Sequence, residues 1–74
     1  MPQATLLIKV IPTKLREALK SIKEISGVKD AFIVYGRFDL VVSIGAINYE
    51  EMIRLTAEIN KIEGIRSTET LLEA

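Results

Sequence analysis

A chain of 74 residues, 49% hydrophobic, with ten cationic against ten anionic side chains, is too apolar and too evenly charged for a disordered polyelectrolyte and reads as one small globular domain. It contains neither cysteine nor histidine, which excludes disulfide staples, zinc clusters and catalysis by an imidazole or a thiol. A domain of this size buries only about 60% of its unfolded surface, so without staples it points to association of several subunits.

The balanced charge argues against a basic surface that tracks phosphates. The N-terminus lacks the features of a signal peptide, and no apolar run approaches the about 18 residues of a membrane span; the expected location is cytoplasmic. Two Asn, one Gln and eleven Ile beside many Lys and Glu point toward a thermophilic source.

Ala4–Ile11 reads as a strand that Pro12 ends, with Thr13 expected to cap a helix. Leu15, Ala18, Leu19, Ile22 and Ile25 then recur at helical spacing. Arg16, Glu17, Lys20, Lys23 and Glu24 form the opposite, solvated face, and Gly27 is placed as the C′ residue. Val28–Tyr35 is a second strand, Gly36 turns the chain, and Phe38–Ala46 is a third strand. Asn48, with Glu51 three residues on, gives the capping-box pattern of a second helix whose stripe is Met52, Leu55, Thr56, Ile59 and Ile62. Gly64 closes it, and Ile65–Leu72 is the last strand.

The order is β-α-β-β-α-β in a single domain spanning residues 1–74. Its halves repeat at an offset of 37: Ile22, Ile25, Gly27, Val28 and Lys29 align with Ile59, Ile62, Gly64, Ile65 and Arg66. Two βαβ-type halves joined by a hairpin predict an α+β, ferredoxin-like sandwich, with an antiparallel sheet in order 4-1-3-2 and both helices on one face. A sheet with one wet face should alternate apolar and polar residues. Here Leu6, Ile8 and Val10 oppose Leu7 and Ile11, Leu40, Val42 and Ile44 oppose Val41, and Phe32 and Val34 oppose Ala31, Ile33 and Tyr35. Helices can cover only one of these apolar faces. A second copy of the same sheet is the most economical cover for the other.

Catalytic devices are missing. No Gly-rich phosphate loop precedes either helix, and no carboxylate pair stands out as a shielded acid and base. The reading is a non-enzyme with no cofactor and no metal. Direct nucleic-acid binding is not expected either. Phe32 and Tyr35 lie on strand two and Phe38 at the turn, but strand one has no stacking aromatic, and the six elements leave no room for a helix-turn-helix.

Two polar features remain. Asp39 puts a carboxylate at the mouth of an apolar strand, either as a turn residue bonding nearby backbone N–H groups or as an anchor for a cationic ligand group. Thr68 and Thr70 share a strand face, either as ordinary β-formers or as hydroxyls able to hold a zwitterion.

Gly36-Arg-Phe-Asp39 followed by Leu-Val-Val-Ser-Ile, then a helix, then Ile62-Glu-Gly-Ile-Arg-Ser-Thr-Glu-Thr-Leu-Leu, resembles the effector-binding domain of the Lrp/AsnC transcription regulators, called RAM. The resemblance covers essentially the whole chain. It implies a ferredoxin-like fold, dimers formed through their sheets, rings built from dimers, and an amino acid or related small molecule bound between dimers. It also implies that Tyr35, Gly36, Arg37, Phe38 and Asp39 line the site and that Thr68 and Thr70 supply hydroxyl contacts. Full-length members of that family carry an N-terminal helix-turn-helix, whereas this sequence resembles a stand-alone RAM protein. The expectation is a regulator that does not bind DNA directly and that acts by co-assembling with full-length regulators or by another route. The alternatives are an oligomerisation or adaptor subunit without a ligand, and a small ferredoxin-like dimeric enzyme. An ACT-type domain is a functional relative, from which the Thr-x-Thr ending differs.

Overall fold

Strand β1 (Gln3–Val10) runs through the middle of the sheet in the computed structural model, which describes residues 2–73. Its alternation decides the layers, because Ala4, Leu6, Ile8 and Val10 are all buried while Thr5 and Leu7 are half-buried and Lys9 is exposed. After a short 3₁₀ turn at Pro12–Lys14 come α1 (Leu15–Lys23), β2 (Val28–Ile33), β3 (Leu40–Gly45), α2 (Tyr49–Asn60) and β4 (Ile65–Leu72). The sheet order is β2-β3-β1-β4, with every neighbouring pair antiparallel. This is the expected 4-1-3-2 arrangement and the ferredoxin-like plan.

One cluster forms the core. Ala18 and Ile22 of α1 and Met52, Leu55 and Ile59 of α2 pack on Leu6, Ile8, Ala31, Leu40, Val42 and Ile44 of the sheet. Both helices therefore cover the same face. The other face carries the cross-strand row Phe32, Val41, Leu7 and Glu69, with Ser43, Thr5 and Leu71 in the next row. Phe32 is 46% and Leu71 50% exposed there.

The internal repeat extends to the backbone. Where α1 ends, Ile25 donates to the Ile22 carbonyl at 3.1 Å and Val28 to the Ile25 carbonyl at 3.2 Å. Thirty-seven residues on, Ile62 donates to Ile59 at 3.1 Å and Ile65 to Ile62 at 3.3 Å. Gly27 and Gly64 close the two turns with φ of +103° and +96°. Both come three residues after the helix C-caps Glu24 and Lys61, rather than at C′.

Three local expectations change. Thr13 is no N-cap: Pro12 starts the 3₁₀ turn at once, so Thr13 lies inside it, and neither Ile11 nor Lys14, the residues at the two cap positions, makes a side-chain capping bond. Strand β2 stops at Ile33 and β3 starts at Leu40, because the chain from Val34 already belongs to the turn. The capping box of α2 is half made. Asn48 Oδ1 accepts from the Glu51 N–H at 2.9 Å, but the Glu51 carboxylate pairs with Arg54 instead of reaching back.

Candidate functional site

The β2–β3 connection is a loop closed at its base, where the Val34 N–H donates to the Asp39 carbonyl at 2.9 Å. Gly36 at its tip has φ +132°, a region open to glycine alone, and a Cβ placed there would meet no atom within 4 Å. The tip thus stands free of the body. Tyr35 is 98% exposed, Arg37 is exposed without an ion pair among the described residues, and Phe38 is half-buried.

Asp39 ties this tip to the centre of the sheet. Its N–H donates to the Ile8 carbonyl at 2.8 Å, and its Oδ2 accepts from the Val10 N–H at 2.9 Å. The cause is a mismatch in strand length. Strand β3 begins at Leu40, opposite Ile8, so Val10 runs past its end and lacks a strand carbonyl on that side. The carboxylate supplies the missing acceptor. Asp39 therefore has a structural role, through a long-range bond rather than the local turn bond of the first of its two readings. Its Oδ1 accepts no hydrogen bond among the described residues.

Thr68 and Thr70 lie opposite Ile8 and Leu6, so both point to the helix side of β4. Thr68 Oγ1 donates to Asn60 Oδ1 of α2 at 3.0 Å. Thr70 lines a groove of about 320 Å³ between α2 and β4, with Tyr49, Met52, Ile53, Thr56 and Leu72. Tyr49 and Ile53, 63% and 68% exposed, leave its outer wall apolar and open. These two side chains escaped sequence reasoning, because they lie off the core stripe of α2 and register only as stray apolar positions.

The structure does not join the hairpin and the threonines within one chain. The hairpin leads from β2 into β3, and β1 separates β3 from β4; at about 4.8 Å per strand that is roughly 10 Å. Among the described residues no helix is long and apolar enough to cross a membrane.

The profile of the Lrp/AsnC ligand binding domain matches residues 3–72. No curated protein sequence matches the chain significantly. Among solved structures, FFRP-DM1 is similar at a TM-score of 0.94 with 28% identity, covering 100% of both chains. TTHA0845 from Thermus thermophilus is similar at a TM-score of 0.94 with 29% identity, covering 100% of this chain and 94% of the other. The transcriptional regulator NMB0573 from Neisseria meningitidis, in complex with L-Met, shares the fold at a TM-score of 0.85 with 12% identity, covering 99% of this chain and 49% of the other. With its profile matched from β1 to the end of β4, the chain belongs to the Lrp/AsnC ligand binding domain family and is a regulatory ligand-binding module.

Proposed function

We propose that this protein is a homo-oligomeric amino-acid sensor that acts in transcription regulation from the cytoplasm without contacting DNA through this domain. The observation that carries the reading is the family match along all four strands and both helices. The complex of NMB0573 with L-Met supports an amino acid as the ligand class. The even charge and the lack of stacking aromatics on β1 speak against a nucleic-acid surface.

The site is assigned to Tyr35, Gly36, Arg37, Phe38 and Asp39 of one copy and Thr68 and Thr70 of another. A zwitterion needs an anion for its ammonium and N–H or hydroxyl donors for its carboxylate. Asp39 Oδ1 is available as the anion while Oδ2 stays on Val10. The hairpin backbone and the threonine hydroxyls are the donors. Copies pair through their bare sheet faces, and full-length regulators of the family are the macromolecular partners.

The test is a thermal-shift and calorimetric screen against the proteinogenic amino acids, on the parent and on Asp39→Asn. A ligand at about 100 times its Kd adds about 2.7 kcal/mol to stability, so a binder raises Tm clearly. Asp39→Asn keeps an acceptor for Val10 but removes the charge, so it should fold as the parent does and lose the shift. An unchanged shift in the variant overturns the site. A screen without any hit overturns the ligand class and favours an adaptor subunit.

A further inference from the structure

We propose that the groove between α1 and β2 docks an amphipathic helix of a partner protein, one that carries carboxylates beside an apolar stripe. The groove encloses about 390 Å³, with Leu19 and Ile33 as its apolar lining and Arg16, Lys20 and Lys23 against one acid, Glu24. A smaller cavity of about 230 Å³ shares Lys23 and continues the positive strip to Lys29. None of these four cations makes an ion pair among the described residues. The polar side of α1 is thus not a plain solvated face, since part of it walls an apolar cleft.

The cations of α1 stand against what the helix itself prefers. Arg16, Lys20 and Lys23 follow one another at helical spacing on one stripe, where like charges repel. Arg16 is in the first turn, the end at which the helix dipole disfavours a cation. Lys20 and Lys23 are in the last turn, where the dipole favours them, yet α2 ends without a basic residue in its last turn. The repeat at an offset of 37 supplies an internal control. The counterparts of Arg16, Lys20 and Lys23 are Ile53, Ala57 and Asn60, and those of Leu19 and Ile33 are Thr56 and Thr70. The α2–β4 groove thus has the same framework and no charged residue in its lining among the described residues. A basic rim over an apolar floor belongs to the α1–β2 groove and not to the fold. Charges that cost the helix and find no partner within the chain are what a bound anion offsets.

Charge and shape select the occupant. Carboxylates answer the rim, and aliphatic side chains answer the floor. Arg16 to Lys23 spans about 10 Å along the axis, so about two turns of a partner helix meet all three cations. A strand is the poorer fit. Asp30 Oδ1 already takes the Ala31 N–H at 2.9 Å, and the register of β2 slips between Val28 and Asp30, which blunts that edge against strand addition. Single-stranded nucleic acid is held on stacking aromatics, and no aromatic side chain lines this groove among the described residues. A lipid surface takes a projecting apolar face, whereas Leu19 is half-buried in a cleft. The groove is separate from the amino-acid site, which uses the hairpin and β4.

The probe is a labelled peptide of about 15 residues, long enough to form a helix in water, built from Leu, Glu and Ala with Leu on one helical stripe and Glu alongside. A shuffled peptide of the same composition, without the stripe, is its control. Fluorescence anisotropy with the full chain at about 0.01 M ionic strength, where the Debye length is about 30 Å, should show the striped peptide binding about tenfold or more tighter than the shuffled one. Lys20→Glu/Lys23→Glu should weaken it about tenfold or more, since like charges set together in an interface repel. Ile33→Ser should weaken it at unchanged charge. Lys61→Glu/Arg66→Glu, a reversal of equal size at exposed positions outside the groove, should bind as the parent does. Circular dichroism checks the folding of each variant. In the amide spectrum of the parent, the peptide should shift Lys20, Lys23 and Ile33 and leave their repeat counterparts Ala57, Asn60 and Thr70 in place. A striped peptide that does not bind or binds no better than the shuffled one, equal losses in the two charge reversals, or displacement of the peptide by equal concentrations of single-stranded DNA or phosphatidylglycerol vesicles overturns the proposal.

Discussion

The Asp39 carboxylate holds the backbone N–H of Val10 at 2.9 Å across 29 residues of sequence. The backbone of the same residue closes the hairpin on Val34 and donates to the Ile8 carbonyl, so the side chain adds a second tie between this exposed loop and the central strand. Removing the acceptor strands a partly buried N–H. Asp39→Ala should therefore cost about 1–3 kcal/mol, and Asp39→Asn less than about 1 kcal/mol. Urea denaturation of the two variants separates them. Equal losses would mean that the charge, not the Val10 bond, is what stabilises.

Gly36 makes a cleaner backbone test. A methyl group there meets nothing, so Gly36→Ala carries only the strain of a φ of +132°. The expected cost is about 1–3 kcal/mol. It should lower the denaturant midpoint with an unchanged slope, because the buried surface is the same. A variant as stable as the parent would show that the tip relaxes to another conformation at no cost.

These two residues mark where reading the sequence stopped. Periodicity located β4 at Ile65–Leu72 to the residue, and the Asn48 cap was legible three residues ahead of its partner, Glu51. Both are local patterns. The repeat at an offset of 37 was legible as well, and it fixed the strand order through the family of connections it allows. Thr13 misled because a proline-initiated 3₁₀ turn begins one residue too early for it to cap. The Asp39–Val10 bond was hidden because it depends on β3 starting opposite Ile8, a property of strand ends that no spacing encodes. The separation of the hairpin from Thr68 within one chain was legible too, since the expected order 4-1-3-2 already places β1 between β3 and β4.

The threonines separate structure from binding. Thr68 donates to Asn60 at an exposed position, and the Thr70 hydroxyl has no hydrogen-bond partner among the described residues. Thr70→Val should leave stability within about 0.5 kcal/mol of the parent, as surface substitutions do. Loss of a single hydroxyl contact to a bound amino acid weakens affinity about tenfold, for about 1.4 kcal/mol. Calorimetry with the amino acid found in the screen reads this directly. Unchanged affinity in both Thr68→Val and Thr70→Val would remove β4 from the site.

The bare sheet face supplies the last test. Leu7 lies at its centre, between Val41 and Glu69, with Phe32 beyond Val41, while Lys9, Ser67 and Asp30 sit toward its margins. An apolar middle with a polar rim is the layout of an interface between copies. Leu7 points away from the helices, so Leu7→Lys leaves the buried cluster of Leu6 and Ile8 intact. Its cost should fall on association. The parent should sediment as at least a dimer at micromolar concentration and melt at a temperature that rises with concentration, as linkage requires. Leu7→Lys should sediment as a smaller species and melt at a lower temperature that no longer depends on concentration, with the far-ultraviolet spectrum of the parent. A parent that stays monomeric at micromolar concentration would mean that this face is wet in solution, and that Phe32 and Leu71 are exposed without a partner.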